Sequence, residues 1–254
     1  ESATPSTILP SINLIISISR YSSYGRSSLI SAGIHELLIN IAMTADNQDI
    51  SINCCIALEF IFSEVENLDF DTLIQNNVMS ITQLFSLPYV EAKTAILSTF
   101  NSLITQVPKA SNRLCQLSHI HITLLNSLDD EDLQEPSVQL ISNLCQTADI
   151  SYVKEMIENN LIPILIELIN SDKAAISLHT ISLLIDRLHE EVYCLLPEEF
   201  NENIIEIANM SPFEIKKQAS YLIATEIYTL NPAKIENLMN PQAIQLLVDM
   251  LSSG

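Results

Sequence analysis

The chain has 254 residues, 48% of them apolar, which is ample for a large core. Its formal charge of −20, from 31 acidic and 11 basic residues, weighs against nucleic acid and an anionic membrane surface as partners, because phosphate binding needs clustered Lys and Arg. With three glycines and no Trp, the composition argues against turn-rich sheet folds and phosphate-cradling loops and leaves a core built mainly of Ile and Leu.

The elements follow in chain order. Glu1 to Pro10 is rich in Ser, Thr and Pro and is expected to fray. Asn13 to Arg20 reads as the end of a helix, and Ser22 to Ser28 as a polar loop around Gly25. Leu29 to Ala32 is a short helix stopped at Gly33, which suits the left-handed position after a helix. Ile34 to Ala42 and Ile52 to Val65 carry apolar residues at helical spacing, separated by a loop at Asp46 to Asp49.

The pattern then repeats. Phe70 to Gln75 is a short helix, Asn76-Asn77 a break, Val78 to Phe85 a second helix, and Pro88 opens a third that runs to about Thr105. Asn112 to Leu117 and His121 to Ser127 come next, then the acidic loop Asp129 to Asp132 and a third helix from about Pro136 to Cys145. Ile150 to Glu190 holds the clearest copy, a short helix, a tight break, a second helix, a polar break and a longer third helix. Tyr193 to Phe200 is a weak first helix and Asn203 to Asn209 a second. Ser211-Pro212-Phe213-Glu214 has capping-box spacing before a helix reaching about Thr229. Asn231-Pro232 caps another short helix, and Ala243 to Leu251 is the last.

Two registers test the repeat. Leu37, Ile81, Leu125, Leu165, Ile204 and Leu247 align in the second helices. Ser17, Phe60, Ser102, Asn143, Arg187 and Glu226 align in the third. Both recur every 40 or so residues, the signature of a helical solenoid whose units bury their faces by stacking.

Asn160-Leu161-Ile162-Pro163, followed by Leu165 and Leu168, is similar to the G-x-I-P-x-L-v-x-L-l junction of the armadillo-repeat family. Ser31 to Ile34 is a second copy, and Val138 to Leu144 resembles the third-helix motif that ends in A-L-x-N-L. The resemblance runs from about Ser11 to Leu251. It implies an all-α, right-handed superhelical solenoid with three helices per repeat. Residues 1–254 are then one array of about five repeats with partial units at its ends. Within the family the chain looks most like the importin-alpha branch, which carries nuclear-localisation signals, and its acidity fits that branch.

In that branch the third helices line a concave groove, where Trp residues form slots for Lys and Arg stems and Asn residues hold the peptide backbone. Here the Asn positions hold Ser17, Phe60, Ser102, Asn143, Arg187 and Glu226. The Trp positions hold Asn13, Ile56, Ser98, Gln139, Leu183 and Leu222. The groove candidates are therefore Asn143, Gln139, Ser102, Glu59, Asp186, Arg187 and Glu226. Asn143 either clamps a peptide backbone or is solvated on its helix face. Glu59, Asp186, Glu190 and Glu226 either attract Lys and Arg of a partner or form a solvated face, and Arg187 can pair with its neighbours.

Nothing points to catalysis, a cofactor or a metal. Asp129 to Asp132 lacks EF-hand spacing and its Gly. His119 and His121 have no companions at zinc spacing. Cys54-Cys55 sits on an apolar helix, and no nucleophile, zincin, phosphate-loop or dinucleotide signature occurs. Cys54, Cys55, Cys115, Cys145 and Cys194 are odd in number and irregular in spacing, which fits reduced core thiols in the cytosol or nucleus. No signal peptide is expected. Ser2 to Ser19 is uncharged, but polar residues and Pro interrupt it, so it is not a membrane span. Since it opens on Glu1, the sequence is expected to belong to a longer chain. The expected function is a non-enzymatic adaptor binding proteins or peptides, basic segments among them, for importin-alpha-like nuclear import. The alternative is a catenin-type or cytoskeletal scaffold without nuclear-signal recognition.

Overall fold

Side-chain caps and left-handed residues set the helix boundaries. The computed structural model describes residues 5–64, 70–230, 235 and 241–252. In order, the helices are α1 (Pro5–Tyr21), α2 (Ser23–Ser31), α3 (Ile34–Thr44), α4 (Gln48–Phe62), α5 (Phe70–Gln83), α6 (Val90–Gln106), α7 (Ala110–Ser118), α8 (Ile120–Ser127) and α9 (Glu131–Thr147). There follow α10 (Ile150–Glu158), α11 (Leu161–Leu168), α12 (Ala174–Leu188), α13 (Glu190–Tyr193), α14 (Phe200–Met210), α15 (Phe213–Thr229) and α16 (Pro241–Ser252). No strand occurs among the described residues, and no helix there is long and apolar enough to cross a membrane.

Ser22 starts α2 by accepting from the Gly25 amide at 2.9 Å, and Asn47 starts α4 by accepting from Ile50 at 3.2 Å. Asp130 does the same for α9, accepting from the Asp132 amide, so the acidic loop is in part a helix cap. Glu131 and Asp132 in the first turn also complement the positive end of the helix dipole. Between first and second helices the chain passes through the left-handed region three times, at Gly33 (φ 72°), His119 (φ 48°) and Asn160 (φ 70°). The junction motif recognised at Asn160 is therefore a backbone device. It needs Gly, or a residue that tolerates a positive φ, and Asn is among the most tolerant.

The chain divides into two units, the first ending at Val153 and the second starting at Lys154. In the first, α1, α4, α6 and α9 pack each against the next, with α2, α3, α5, α7 and α8 covering them. Ile61, Phe62, Leu97, Phe100, Leu103, Leu140 and Leu144 are fully covered there. In the second, α12 packs on α15, flanked by α11, α13, α14 and α16, around Leu165, Leu178, Ile181, Ile185, Ile204, Leu222 and Leu246. Each such side chain contributes about 1.5–3 kcal/mol by leaving water.

The structure corrects several expectations. Ser22 to Ser28 is helical, not a loop. A Cβ on Gly25 would stand 2.6 Å from Ile18, so this glycine permits close approach of α1 and α2. From this segment the buried Arg26 donates to the Ser19 carbonyl at 2.7 Å and the Glu64 carbonyl at 3.0 Å, satisfying helix ends. Asn76-Asn77 does not break α5; Asn77 is buried and bonded to His35. Pro10, expected in a frayed segment, and Pro136, expected at a helix start, lie inside α1 and α9. Each is the sixth residue of its helix, where the carbonyl left unpaired is still close to the N-terminal end. The Ser211 capping box does not form: Pro212 is extended and the helix starts at Phe213, so Glu214 pairs with Lys217 and Gln218. The first helix expected at Tyr193 to Phe200 shrinks to the four residues of α13, and Phe200 opens α14. Leu37 is 53% exposed and Leu38 1%, so Leu38 holds the second-helix core position. Four of the cysteines are buried, but Cys194 is exposed. Val65 and the Asn231-Pro232 cap lie outside the described residues.

Candidate functional site

The third helices α1, α4, α6 and α9 of the first unit, and α12 and α15 of the second, present one stripe each to solvent. Polar contacts cross every seam between packed pairs. Arg20 of α1 stands 4.5 Å from the centre of the Phe60 ring of α4, a cation–π contact. Between α4 and α6, Ser98 lies close enough to the Glu59 carboxylate to favour its charged form. Burial raises the pKa of Glu59, and Ser98 partly offsets this. Between α6 and α9, the side-chain amide of Asn143 donates to Oδ1 of Asn101 at 2.5 Å. Gln106 of α6 donates to the Phe62 carbonyl at 2.8 Å, closing the end of α4. In the second unit the Ser182 and Thr225 hydroxyls are 2.9 Å apart. Thr225 spends its proton on the Tyr221 carbonyl, so Ser182 is the donor across that seam.

Of the candidate residues, Glu59, Ser102 and Asn143 are half-buried on this stripe in the first unit, and Gln139 is exposed one turn before Asn143. Asp186 is exposed and Arg187 half-buried on α12. Glu226 is a correction. It is 0% exposed, so it faces the interior and not the open stripe. No hydrogen-bond donor satisfies either of its oxygens among the described residues, and Asn201 of α14 only partly offsets its burial. Burial pushes its pKa up to about 8.

The misplacement comes from the register. Ser177, Thr180, Ile181, Leu184 and Leu188 of α12 are buried, and so are Ala219, Leu222, Ile223, Glu226 and Leu230, each 42 residues on. Glu226 thus stands where α12 has the core residue Leu184. Likewise Leu140 and Leu144 of α9, with Ala148 just beyond it, match Thr180, Leu184 and Leu188, an offset of 40. Leu183 and Thr225, in place of Arg187 and Glu226, continue the row of Ser17, Phe60, Ser102 and Asn143. His179 and Tyr221, in place of Leu183 and Leu222, continue the row of Asn13, Ile56, Ser98 and Gln139. The slip is four residues on α12 and one on α15; at about 3.6 residues per turn these turn a side chain by about 40° and about 100°, and the larger turn carries Glu226 from stripe to core.

Asn101, His179 and Tyr221 are therefore stripe residues that the sequence-based candidates leave out. The signal for the last two is in the chain: Ile181, Ile185 and Leu188 repeat as Ile223, Ile227 and Leu230 at the same spacing. Elsewhere the chemistry is quiet. His121 is buried, with its ring 5.3 Å from that of Tyr152. Burial pushes the thiols of Cys54 and Cys55 up to about 12, which keeps them protonated and unreactive. No three His, Cys, Asp or Glu are grouped to hold a metal among the described residues.

No family model and no curated protein matches the sequence. Solved structures do match by shape. A designed armadillo repeat protein in complex with the peptide (KR)4 superimposes with a TM-score of 0.73 at 16% identity, over 89% of this chain and 95% of that one. A computationally designed armadillo repeat protein for modular peptide recognition gives 0.70 at 15% identity, over 87% of this chain and 94% of the other. An engineered protein gives 0.75 at 13% identity, over 98% of this chain and 58% of its own. The fold is that of an armadillo-repeat solenoid.

Proposed function

We propose that the chain is a non-enzymatic adaptor that holds an extended segment of a partner protein along its third-helix stripe, and that it serves nuclear import in the manner of importin-alpha-like proteins. The observation that carries the reading is the α6–α9 seam. There the Asn101 and Asn143 amides sit together beside Ser98, Ser102 and Gln139. Amides both donate and accept, so such a row matches the repeating N–H and C=O groups of an extended main chain. Glu59 on the same face and the acidic surplus of the chain favour Lys and Arg in the bound segment. That a neighbour in fold was solved with (KR)4 supports the ligand class. Without Trp slots the hold on cationic stems is weak, so binding depends on surface charge and falls with salt.

The test is a fluorescence-anisotropy titration of a Lys/Arg-rich peptide and a neutral peptide of equal length, at low and high salt. Weak, salt-sensitive binding of the basic peptide alone is expected. Equal binding of both turns the reading towards a catenin-type scaffold with apolar contacts, and binding of neither removes it.

A further inference from the structure

A cavity of about 600 Å³ opens in the second unit between α12, α15 and α16, and its lining is wrong for a basic segment. Leu247 and Met250 of α16 and Tyr221 of α15 give it apolar walls, with His179, Lys217, Gln218 and Ser220 among them. Its volume falls in the range of built ligand pockets, about 300–1,000 Å³. His179 and Tyr221 are the two residues that the corrected register places where Ser98 and Gln139 stand in the first unit. The polar side chains of Ser98 and Gln139 thus give way here to an aromatic pair. Tyr221 is 56% exposed, a large ring left facing water.

The charges decide the occupant. The chain has 11 basic residues, and Lys216 and Lys217 bring two of them here. Lys216 is committed to Asp249 at 3.1 Å. Lys217 meets Glu214 at 3.4 Å on its own helix, but both are more than half exposed and the pair is held weakly. Gln218 donates to the same Glu214 oxygen at 2.9 Å, so Lys217 shares that carboxylate. An incoming Lys or Arg would meet the Lys217 ammonium, whereas a carboxylate would gain it.

We propose that this cavity takes an apolar side chain flanked by a carboxylate in a partner segment, the side chain against Tyr221, Leu247 and Met250 and the carboxylate on Lys217 and His179. The proposal rests on the reading that the third-helix stripe binds protein segments, and it adds that the second unit selects an acidic-apolar element. His179 reports the event. Burial first, and then Lys217, hold its pKa below the usual histidine value. A carboxylate on the ring opposes the Lys217 effect and moves it up.

The experiment uses the full chain and three capped peptides of equal length carrying a central Leu next to Glu, Gln or Lys, with the Lys/Arg-rich peptide as reference. The Glu peptide is expected to bind about tenfold tighter than the Lys peptide, a preference reduced by salt and abolished by Lys217→Gln. The His179 ring is expected to titrate at higher pH in its presence by NMR. Equal binding of the three peptides, or a Glu preference untouched by Lys217→Gln with His179 unmoved, overturns the assignment. If the Lys/Arg-rich peptide binds and Asn143→Ala weakens it while the Glu peptide does not bind, the cavity assignment alone fails. If no peptide binds, the stripe reading fails with it.

Discussion

Asn143 donates its side-chain amide to Asn101 across the α6–α9 seam, so the two residues act as one polar unit on adjoining third helices. Removing either leaves the other partly buried and unpaired. A double-mutant cycle of Asn101→Ala and Asn143→Ala in urea should give a coupling of about 0.5–1.5 kcal/mol. Coupling near zero would mean that each amide is satisfied by water alone.

Glu226 makes stability fall as the pH rises. Its pKa is about 8 in the fold against an ordinary value of 4.5, so below 4.5 it is protonated in both states and costs nothing as a charge. From there to about 8 the unfolded chain releases the proton and the fold does not, so the unfolded state gains. Each tenfold change in proton affinity is worth about 1.4 kcal/mol. Glu226→Leu, which restores the residue found at Leu184, should therefore raise stability at pH 8 by several times that amount and by less at pH 5. Urea midpoints at the two pH values measure it, and an equal gain at both would show that the carboxyl is not shielded.

His35 acts in the opposite direction. It is buried, its ring edge-on to Phe62, and burial holds its pKa below the usual value. Asn77 donates to Nε2 at 3.3 Å, which requires the neutral ring with its proton on Nδ1. The unfolded chain takes up a proton below about 6.5 before the fold does, so stability present above that pH is lost on acidification. His35→Phe should flatten the acid limb of a thermal-melt series, and an unchanged limb would assign it to other groups.

Asn160 holds φ at 70° between α10 and α11. Asn160→Gly should be neutral or slightly stabilising, while Asn160→Val should cost about 1–3 kcal/mol because a β-branched residue resists that backbone. Equal melting temperatures for the two variants would show that the junction can relax.

The repeat is legible in the sequence because it is written in apolar spacing and in junction residues. Ile162-Pro163, Gly33 and the rows of Ile and Leu report directly on stacking, and stacking is what fixes an array of short helices. The stripe is less legible. A residue's side of a helix depends on register, and the alignment that puts Arg187 and Glu226 in the exposed row is off by four residues and by one, so a buried carboxyl is read as a solvent-facing one. Ser22 to Ser28 misleads for a related reason. Gly and Ser normally signal a turn, yet Gly25 is small so that α2 can lie close to Ile18. Tertiary contact, absent from any local window, settles each case.

The four residues of α13 have a consequence for how the second unit comes apart. Between Val192 and Phe200, both buried, the chain is mostly exposed and held by turns instead of a helical ladder. A stacked array transmits cooperativity only through neighbouring repeats, so a missing first helix is a fault line. Amide exchange and limited proteolysis should register first at Cys194 to Glu199, and this stretch is where a foreign loop could be spliced in at least cost to the fold.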